Sequence, residues 1–372
     1  MDPLFLANRH QQVVVNGEKS DPAPDISGVP QGSVIGPLLF LILIGDISCS
    51  LIHIQFADDT RIGNSIQTNE DVSQLQQDLD KVYQWATRNN MTFNDTKFDL
   101  IRYGQNTQLK EATAYTSNAN TNIEAKSSTK DLGVTMSTTA EFTEHIAGIV
   151  ETVKDLTAWI LRSFKSRSRY VMLFLWKTIV IPRLDYCSQL WNPSKAYLIT
   201  QLEELQKHFV RRIHGFQDME YNEALHELNL LSLQRRRERY QIIYLWCIIE
   251  DIYPNLQNEQ DDVLIKLQSS IQSRRGRTIA TKVLPNTRYG NLRFQSLPFA
   301  GARLFNALPQ SIRNITGCSK IAFKSSLDRF LKTVKDNPLP VSLNNPVQGT
   351  TNNSLAVVIQ RCEESILGVH RQ

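Results

Sequence analysis

An alternating run, Ile52-His53-Ile54-Gln55-Phe56, stops at Ala57-Asp58-Asp59 and resumes as Thr60-Arg61-Ile62. Period-two alternation on both sides of a short polar break predicts an antiparallel hairpin with one buried face, and it sets two adjacent carboxylates at the tip. A tip between anchored strands holds oxygens in place. Phosphoryl transfer by two divalent ions about 3.5–4 Å apart asks this of its ligands. Aspartate is also an ordinary turn residue that faces water, so the pair alone leaves both readings open.

The flanking sequence predicts further elements. Gln12-Val13-Val14-Val15 runs into Asn16-Gly17, a hairpin turn signal, and a Pro/Asp-rich loop from Asp21 to Asp25 follows. Gly28-Val29-Pro30-Gln31-Gly32-Ser33 is a backbone-rich turn before the longest apolar run, Val34 to Ile44, which reads as a buried helix starting near Ser33. Thr68 to Asp71 resembles a capping box, and Val72, Leu75, Leu79, Val82 and Trp85 then recur at helical spacing. Asn94 to Tyr103 reads as a second strand, carrying Lys97. From about residue 145 the pattern turns helical. Leu198, Leu202, Leu205, Phe209 and Ile213 form one stripe flanked by Lys207, Arg211 and Arg212, and Arg235-Arg236-Arg237 opens a helix that ends in Leu245-Trp246 and Ile248-Ile249. Gly276, Pro285 and Gly290 mark a looser stretch before an amphipathic segment at Phe323 to Leu331. The Asn/Thr/Ser-rich tail after Pro338 has the composition of a disordered segment.

Several function classes are excluded or disfavoured. Val34–Ile44 contains Gly36 and Pro37 and is too short to span a bilayer, and no secretory signal precedes it, so an intracellular protein is expected, nuclear or cytoplasmic. The five cysteines (Cys49, Cys187, Cys247, Cys318 and Cys362) are odd in number, scattered, and form no CxxC pair, against a disulfide framework. His145, His208, His214 and His226 have no ligand spacing with them for zinc. Net charge is +4 but lopsided: residues 1–150 carry 10 Lys+Arg against 18 Asp+Glu, and residues 151–372 carry 31 against 19. An acidic part followed by a basic one suits a metal-dependent site joined to a phosphate-gripping arm; two unrelated solvated surfaces give the same sums.

Taken together, Gly28-Val29-Pro30-Gln31-Gly32-Ser33-Val34-Ile35-Gly36-Pro37-Leu38-Leu39-Phe40 and Phe56-Ala57-Asp58-Asp59 resemble the reverse transcriptases of non-LTR retrotransposons, jockey-like elements especially. The first segment is similar to their nucleotide-pocket motif and the second to their Tyr/Phe-x-Asp-Asp metal motif. Lys97 after Asn94 is similar to a following lysine-bearing strand, and Leu132-Gly133-Val134 to the primer-grip hairpin. Leu175-Trp176-Lys177, Pro182, Tyr186-Cys187 and Leu190-Trp191 look like the region beyond the polymerase core, and Arg303-Leu304-Phe305-Asn306-Ala307-Leu308-Pro309 like the C-terminal segment. The likeness runs over roughly residues 8–335.

The resemblance implies an α+β fold: a partial polymerase palm (antiparallel sheet plus helices) over 1–145, a helical, basic, thumb-like region over 146–255, a C-terminal extension over 256–337, and a tail over 338–372. It implies RNA-directed DNA synthesis with Mg2+, an RNA template, a DNA primer and deoxynucleotides, and no membrane. Asp58 and Asp59 would serve the metal site, Pro30, Gln31, Gly32 and Ser33 the nucleotide pocket, and Lys97 the leaving pyrophosphate, unless it is simply an exposed strand lysine. Phe56 is expected to pack inside the palm. Between Lys154 and Arg212 stand 11 Lys+Arg against 4 Asp+Glu; Lys165, Arg167, Arg169, Lys207, Arg211 and Arg212 are the candidate phosphate contacts there. Trp159, Trp176 and Trp191 are expected in the core. Ser273-Arg274-Arg275-Gly276-Arg277 is a further candidate phosphate-contacting loop.

One departure stands out. The family places a first metal-binding Asp on a strand several dozen residues before the Pro-Gln-Gly turn, whereas 29 residues precede Pro30 here. Asp2, Asp21 and Asp25 do not match that position. A chain without that Asp and without the fingers is expected to expose the palm's apolar face and not to polymerise alone. The rival is a non-catalytic nucleic-acid-binding protein that keeps the basic helical half.

Overall fold

The computed structural model describes residues 9–25, 28–29, 32–104, 106–118, 121–254, 265–281, 288–338 and 353–361, which form two compact units, Met1–Ser127 and Ser128–Gln372. The fold is α+β.

Strands of the first unit pair two by two. β1 (Arg9–Gln11) lies antiparallel to β4 (Ala23–Asp25), and β2 (Val14–Val15) to β3 (Glu18–Lys19) across Asn16 and Gly17, both at positive φ (+53° and +90°), as an Asn-Gly hairpin turn requires. The segment Asp21–Asp25, read as a loop, thus ends in a strand, and Arg9 fixes its last residue through an ion pair with Asp25 of 3.1 Å. Helix α1 (Gly36–Ile44) begins where the Ser33 hydroxyl accepts the Gly36 N–H at 3.0 Å, with Pro37 in its first turn. Its expected burial does not hold. Only Gly36 and Ile44 are buried, while Leu38, Leu41 and Ile42 face solvent, because few other elements of this unit pack on the helix.

Strands β5 (Ile52–Phe56) and β6 (Asp59–Gly63) form the expected hairpin, and α2 (Asn69–Arg88) packs against it. The capping box is present: Thr68 Oγ1 accepts from the Asp71 N–H at 3.3 Å, and Asp71 Oδ2 accepts from the Thr68 N–H at 2.7 Å. Val82, Trp85 and Ala86 of α2 meet Ile44 and Ile47 in a small core. The apolar spacing does not reveal Asp78, which is fully buried in α2. Its carboxylate accepts from the Ser50 N–H (2.8 Å), Ser50 Oγ (2.6 Å), the Leu51 N–H (2.9 Å) and Lys81 Nζ (2.7 Å), fastening the entry to β5 onto the helix. The strand predicted over Asn94–Tyr103 is reduced to β7 (Leu100–Ile101), parallel to β8 (Ala125–Lys126). Asn94 Oδ1 accepts from the Thr96 N–H at 3.1 Å and turns Asp95–Lys97 into a 3-10 helix, the local bond that competes with extended backbone. Thr107–Ala112 forms α3.

The second unit opens on the hairpin β9 (Ser128–Asp131) and β10 (Val134–Ser137). Its turn residues, Leu132 and Gly133, have φ of +43° and +82°, and the Tyr186 hydroxyl donates to the Leu132 carbonyl at 2.6 Å. Helices α4 (Thr143–Ser163), α5 (Arg169–Leu175), α6 (Ile181–Asp185), α7 (Ser188–Trp191), α8 (Ala196–Val210) and α9 (Tyr221–Leu228) enclose one core; a π-turn, Trp176–Val180, joins α5 to α6. The stripe Leu198, Leu202, Leu205, Phe209, Ile213 is buried as expected, as are Trp176 and Trp191. A second core joins α10 (Leu233–Ile249), α12 (Leu297–Ala307) and α14 (Lys320–Leu331), with Trp246 stacked on Phe323 at 4.3 Å. Gly301 lets α12 approach α10: a Cβ there would lie 2.6 Å from Leu245 Cδ1. The hairpin β11 (Leu267–Ser269) with β12 (Thr278–Ile279), α11 (Arg288–Gln295) and α13 (Gln310–Arg313) complete the unit.

Between the two cores runs a buried polar seam. Glu203 of α8 accepts from the Tyr221 hydroxyl at 2.6 Å and from the N–H groups of Leu233 (3.2 Å) and Gln234 (3.3 Å) at the start of α10. Asp336 accepts from the Ser232 N–H and Oγ, both at 2.8 Å, and Glu238 accepts from the Leu355 N–H at 2.9 Å. These bonds hold residues 353–361 against α10, which the polar tail composition does not anticipate.

Two predictions follow from the buried carboxylates. Burial alone would raise the Asp78 pKa, but Lys81, Ser50 and Leu51 outweigh it and hold the group below the usual carboxylate range. Its stabilisation is therefore present above the unfolded value and is lost as pH falls through the folded one. Asp78→Ala should cost about 3 kcal/mol and speed hydrogen exchange at the Ser50 and Leu51 amides; unchanged exchange would refute the anchor. Glu203 behaves oppositely. Burial pushes it up to about 7, so stability is fully present below the unfolded value and falls as pH rises toward 7. Urea midpoints should show wild type losing on the order of 3 kcal/mol relative to Glu203→Gln between pH 4.5 and 7.5; a constant difference would contradict the assignment.

Candidate active site

The β5–β6 register pairs Ile52 with Gly63, Ile54 with Arg61 and Phe56 with Asp59, leaving Ala57 and Asp58 as a two-residue loop. Asp58 thus occupies the tip and Asp59 opens β6. Ala57 has φ of +52°, a conformation costing a non-glycine residue about 1–2 kcal/mol, so the hairpin closes tightly under local strain. The hairpin is fixed at three points: Asp78 holds Ser50 and Leu51 where β5 begins, Asn64 Nδ2 after β6 donates to the Asp71 carbonyl at 3.3 Å, and Gln55 Nε2, one pair from the tip, donates to the Ile44 carbonyl at 3.0 Å. The tip is free. Both Asp58 and Asp59 are exposed, and neither carboxylate makes a hydrogen bond or ion pair among the described residues.

The hairpin's faces are reversed from the sequence expectation. Ile52, Ile54 and Phe56 are 56%, 53% and 63% exposed, while His53 and Gln55 are half-buried. Phe56 therefore packs in no core. The polar residues turn inward because Gln55 has a partner there, the Ile44 carbonyl, and the small core beneath is filled from α1, α2 and Ile62. With the bare face of α1, this leaves an apolar surface on the first unit.

Pro30 and Gln31 lie outside the described residues. Gly32 takes φ of +80° with nothing within 4 Å of a notional Cβ, so backbone conformation rather than space calls for glycine there. Ser33 starts α1. Lys97 is exposed on its 3-10 turn, and no hydrogen bond or ion pair joins it to Asp58 or Asp59. Beside it, burial first and then the Asp95 carboxylate, which accepts the Tyr83 hydroxyl at 2.8 Å, push Tyr83 up to about 12. Asp25 stands on β4 in its ion pair with Arg9, and Asp2 lies outside the described residues.

Two adjacent carboxylates leave most positions around an octahedral divalent ion to waters and substrate phosphates. Among the described residues no group of three His, Cys, Asp or Glu side chains is placed to hold a metal. As they stand, these residues do not fit a magnesium site by themselves.

The candidate phosphate contacts divide into two sets. Arg167 donates to the Leu161 carbonyl at 2.7 Å and also to the Phe164 carbonyl, closing the end of α4. Arg169 is bound to Glu227, and Lys207 pairs with Glu204 at 2.9 Å. Lys165, Arg211 and Arg212 are exposed, with no side-chain partner among the described residues. In the Ser273–Arg277 loop, Arg277 is buried against Glu250 at 2.6 Å and is structural, whereas Arg274 and Arg275 are exposed. An open depression of ≈ 850 Å³ in the second unit is lined by Glu220, Glu223, His226 and Glu227 among others, and by none of the candidate residues. Trp159, expected in the core, is 47% exposed. The α4 stripe of Ile146, Val150, Val153 and Ile160 already places it off the buried face, a signal legible in the sequence. No described helix is long and apolar enough to cross a membrane.

Residues 3–136 match the family "Reverse transcriptase (RNA-dependent DNA polymerase)". The chain is 27% identical over 225 residues to the RNA-directed DNA polymerase from mobile element jockey of Drosophila melanogaster, covering 57% of this chain and 24% of that protein. It is 26% identical over 214 residues to the probable RNA-directed DNA polymerase from transposon X-element of the same species, covering 54% and 23%. A 25% identity over 256 residues to the probable polymerase from transposon BS, again of Drosophila melanogaster, covers 64% and 28%. The chain thus matches about a quarter of the length of these relatives. No solved structure matches it. The matched segment contains the Phe-Ala-Asp-Asp hairpin, and over it the chain is similar to reverse transcriptases, those of jockey and related mobile elements among them.

Proposed function

We propose that this chain is part of an RNA-directed DNA polymerase, with residues 1–145 derived from the palm, 146–255 thumb-like and 256–337 an extension. The carrying observation is the hairpin anchored at its base with two unengaged carboxylates at its free end. In this reading Asp58 and Asp59 contribute to a magnesium site whose remaining ligands lie outside them, and Pro30, Gln31, Gly32 and Ser33 line a nucleotide pocket. Lys97 faces the leaving pyrophosphate only if the 3-10 turn is brought toward the hairpin. RNA template, DNA primer and deoxynucleotides are the substrates.

We expect the polypeptide of residues 1–372 not to polymerise alone, since among the described residues no third acidic side chain joins Asp58 and Asp59 to bridge a metal pair. Primer extension on an RNA template should give no product with wild type or Asp58→Asn. Extension by wild type that Asp58→Asn abolishes would overturn this. The exposed Lys165, Arg211 and Arg212 favour a second reading, a nucleic-acid-binding remnant. Binding without magnesium that survives Asp58→Asn supports it, and binding that needs both argues against it.

A further inference from the structure

Beyond the phosphate-gripping role of the basic helices, and resting on that reading, we propose that the end of α4 is a stacking platform for an unpaired base of a single-stranded nucleic acid, built from Trp159 and Phe164 within a ring of free cations. Their rings meet edge to face at 6.1 Å and 84°. They remain 47% and 37% exposed, unlike the buried Trp176, Trp191 and Trp246. Burial does not account for this pair, since Ile160 and Val153 carry the packing of α4.

The cations are arranged by the backbone. Arg162 follows Trp159 by three residues on the same helix, so the two side chains are neighbours. Lys165 follows Phe164. The Arg167 carbonyl accepts the His214 N–H at 2.8 Å, drawing the turn after α8, with Arg211 and Arg212, beside the end of α4. Arg162, Lys165, Arg211 and Arg212 are all exposed and make no side-chain bond among the described residues. Cations at two helix C-termini also complement the helix dipoles, which explains their position but not two open aromatic rings among them. The acid on this stretch of α4, Asp155, stands four residues before Trp159 on the same face, one carboxylate against the four cations. Aromatic faces framed by positive charge bind bases irrespective of sequence, and bases are free to stack only where the strand is unpaired. Duplex has no such base to offer.

The test is fluorescence anisotropy of the whole chain with a labelled single-stranded oligonucleotide and with the duplex of equal length. Trp159→Ala should weaken single-strand binding by about 5- to 150-fold, leave duplex binding unchanged, and be rescued in part by Trp159→Phe. Arg211→Ala with Arg212→Ala should weaken both and flatten the salt dependence. If Trp159→Ala matches wild type while the arginine variant loses binding, the platform is refuted and the phosphate-gripping reading stands. Equal loss of both substrates in Trp159→Ala also refutes it, as does absence of binding by wild type, which removes the wider reading too.

Discussion

Whatever the Asp58–Asp59 hairpin does depends on a carboxylate outside it. Asp78, one buried charge in α2, gathers two backbone N–H groups, a hydroxyl and an ammonium, and so ties the start of β5 to the helix. A hairpin of two strands is marginal by itself. Held at Ser50, Gln55 and Asn64, it becomes a rigid arm with a free end. Burying an ionic group is expensive unless it is paired and hydrogen-bonded; here four donors meet the Asp78 carboxylate, and the strand that leads to the two carboxylates starts from a fixed point.

The same economy recurs in the second unit, where Glu203, Glu238 and Asp336 converge on α10. Their acceptors satisfy the N–H groups that open this helix and that residues 353–361 present to it. Arg235 and Arg237, which the sequence shows only as part of a basic run, are buried in this seam rather than offered to a ligand. Among the helical candidates, the cations left for phosphate are those at the ends of α4 and α8, where a helix C-terminus already favours positive charge.

Much of this was legible in advance. The capping box at Thr68, the stripe from Leu198 to Ile213, the Asn16-Gly17 turn and the Asp-Asp hairpin all rest on local rules of period and turn chemistry, and all four stand. What failed depended on partners. Ile52, Ile54 and Phe56 alternate correctly, but alternation says only that two faces differ, and Gln55 bonded to Ile44 decides which turns in. Lys97 left its strand because Asn94 captured Thr96. Asp78 and Glu203 look like surface acids until their backbone N–H donors, 27 to 31 residues away, are folded against them.

The most direct test of the central claim, that the hairpin tip is the cation-facing end of this unit, is paramagnetic broadening by Mn2+ in amide-resolved NMR spectra of the chain. The account predicts weak binding, with broadening centred on the Asp58 and Asp59 amides and abolished by Asp58→Asn with Asp59→Asn. Broadening centred elsewhere, on Glu220 and Glu223 for instance, or unaffected by those substitutions, would contradict it.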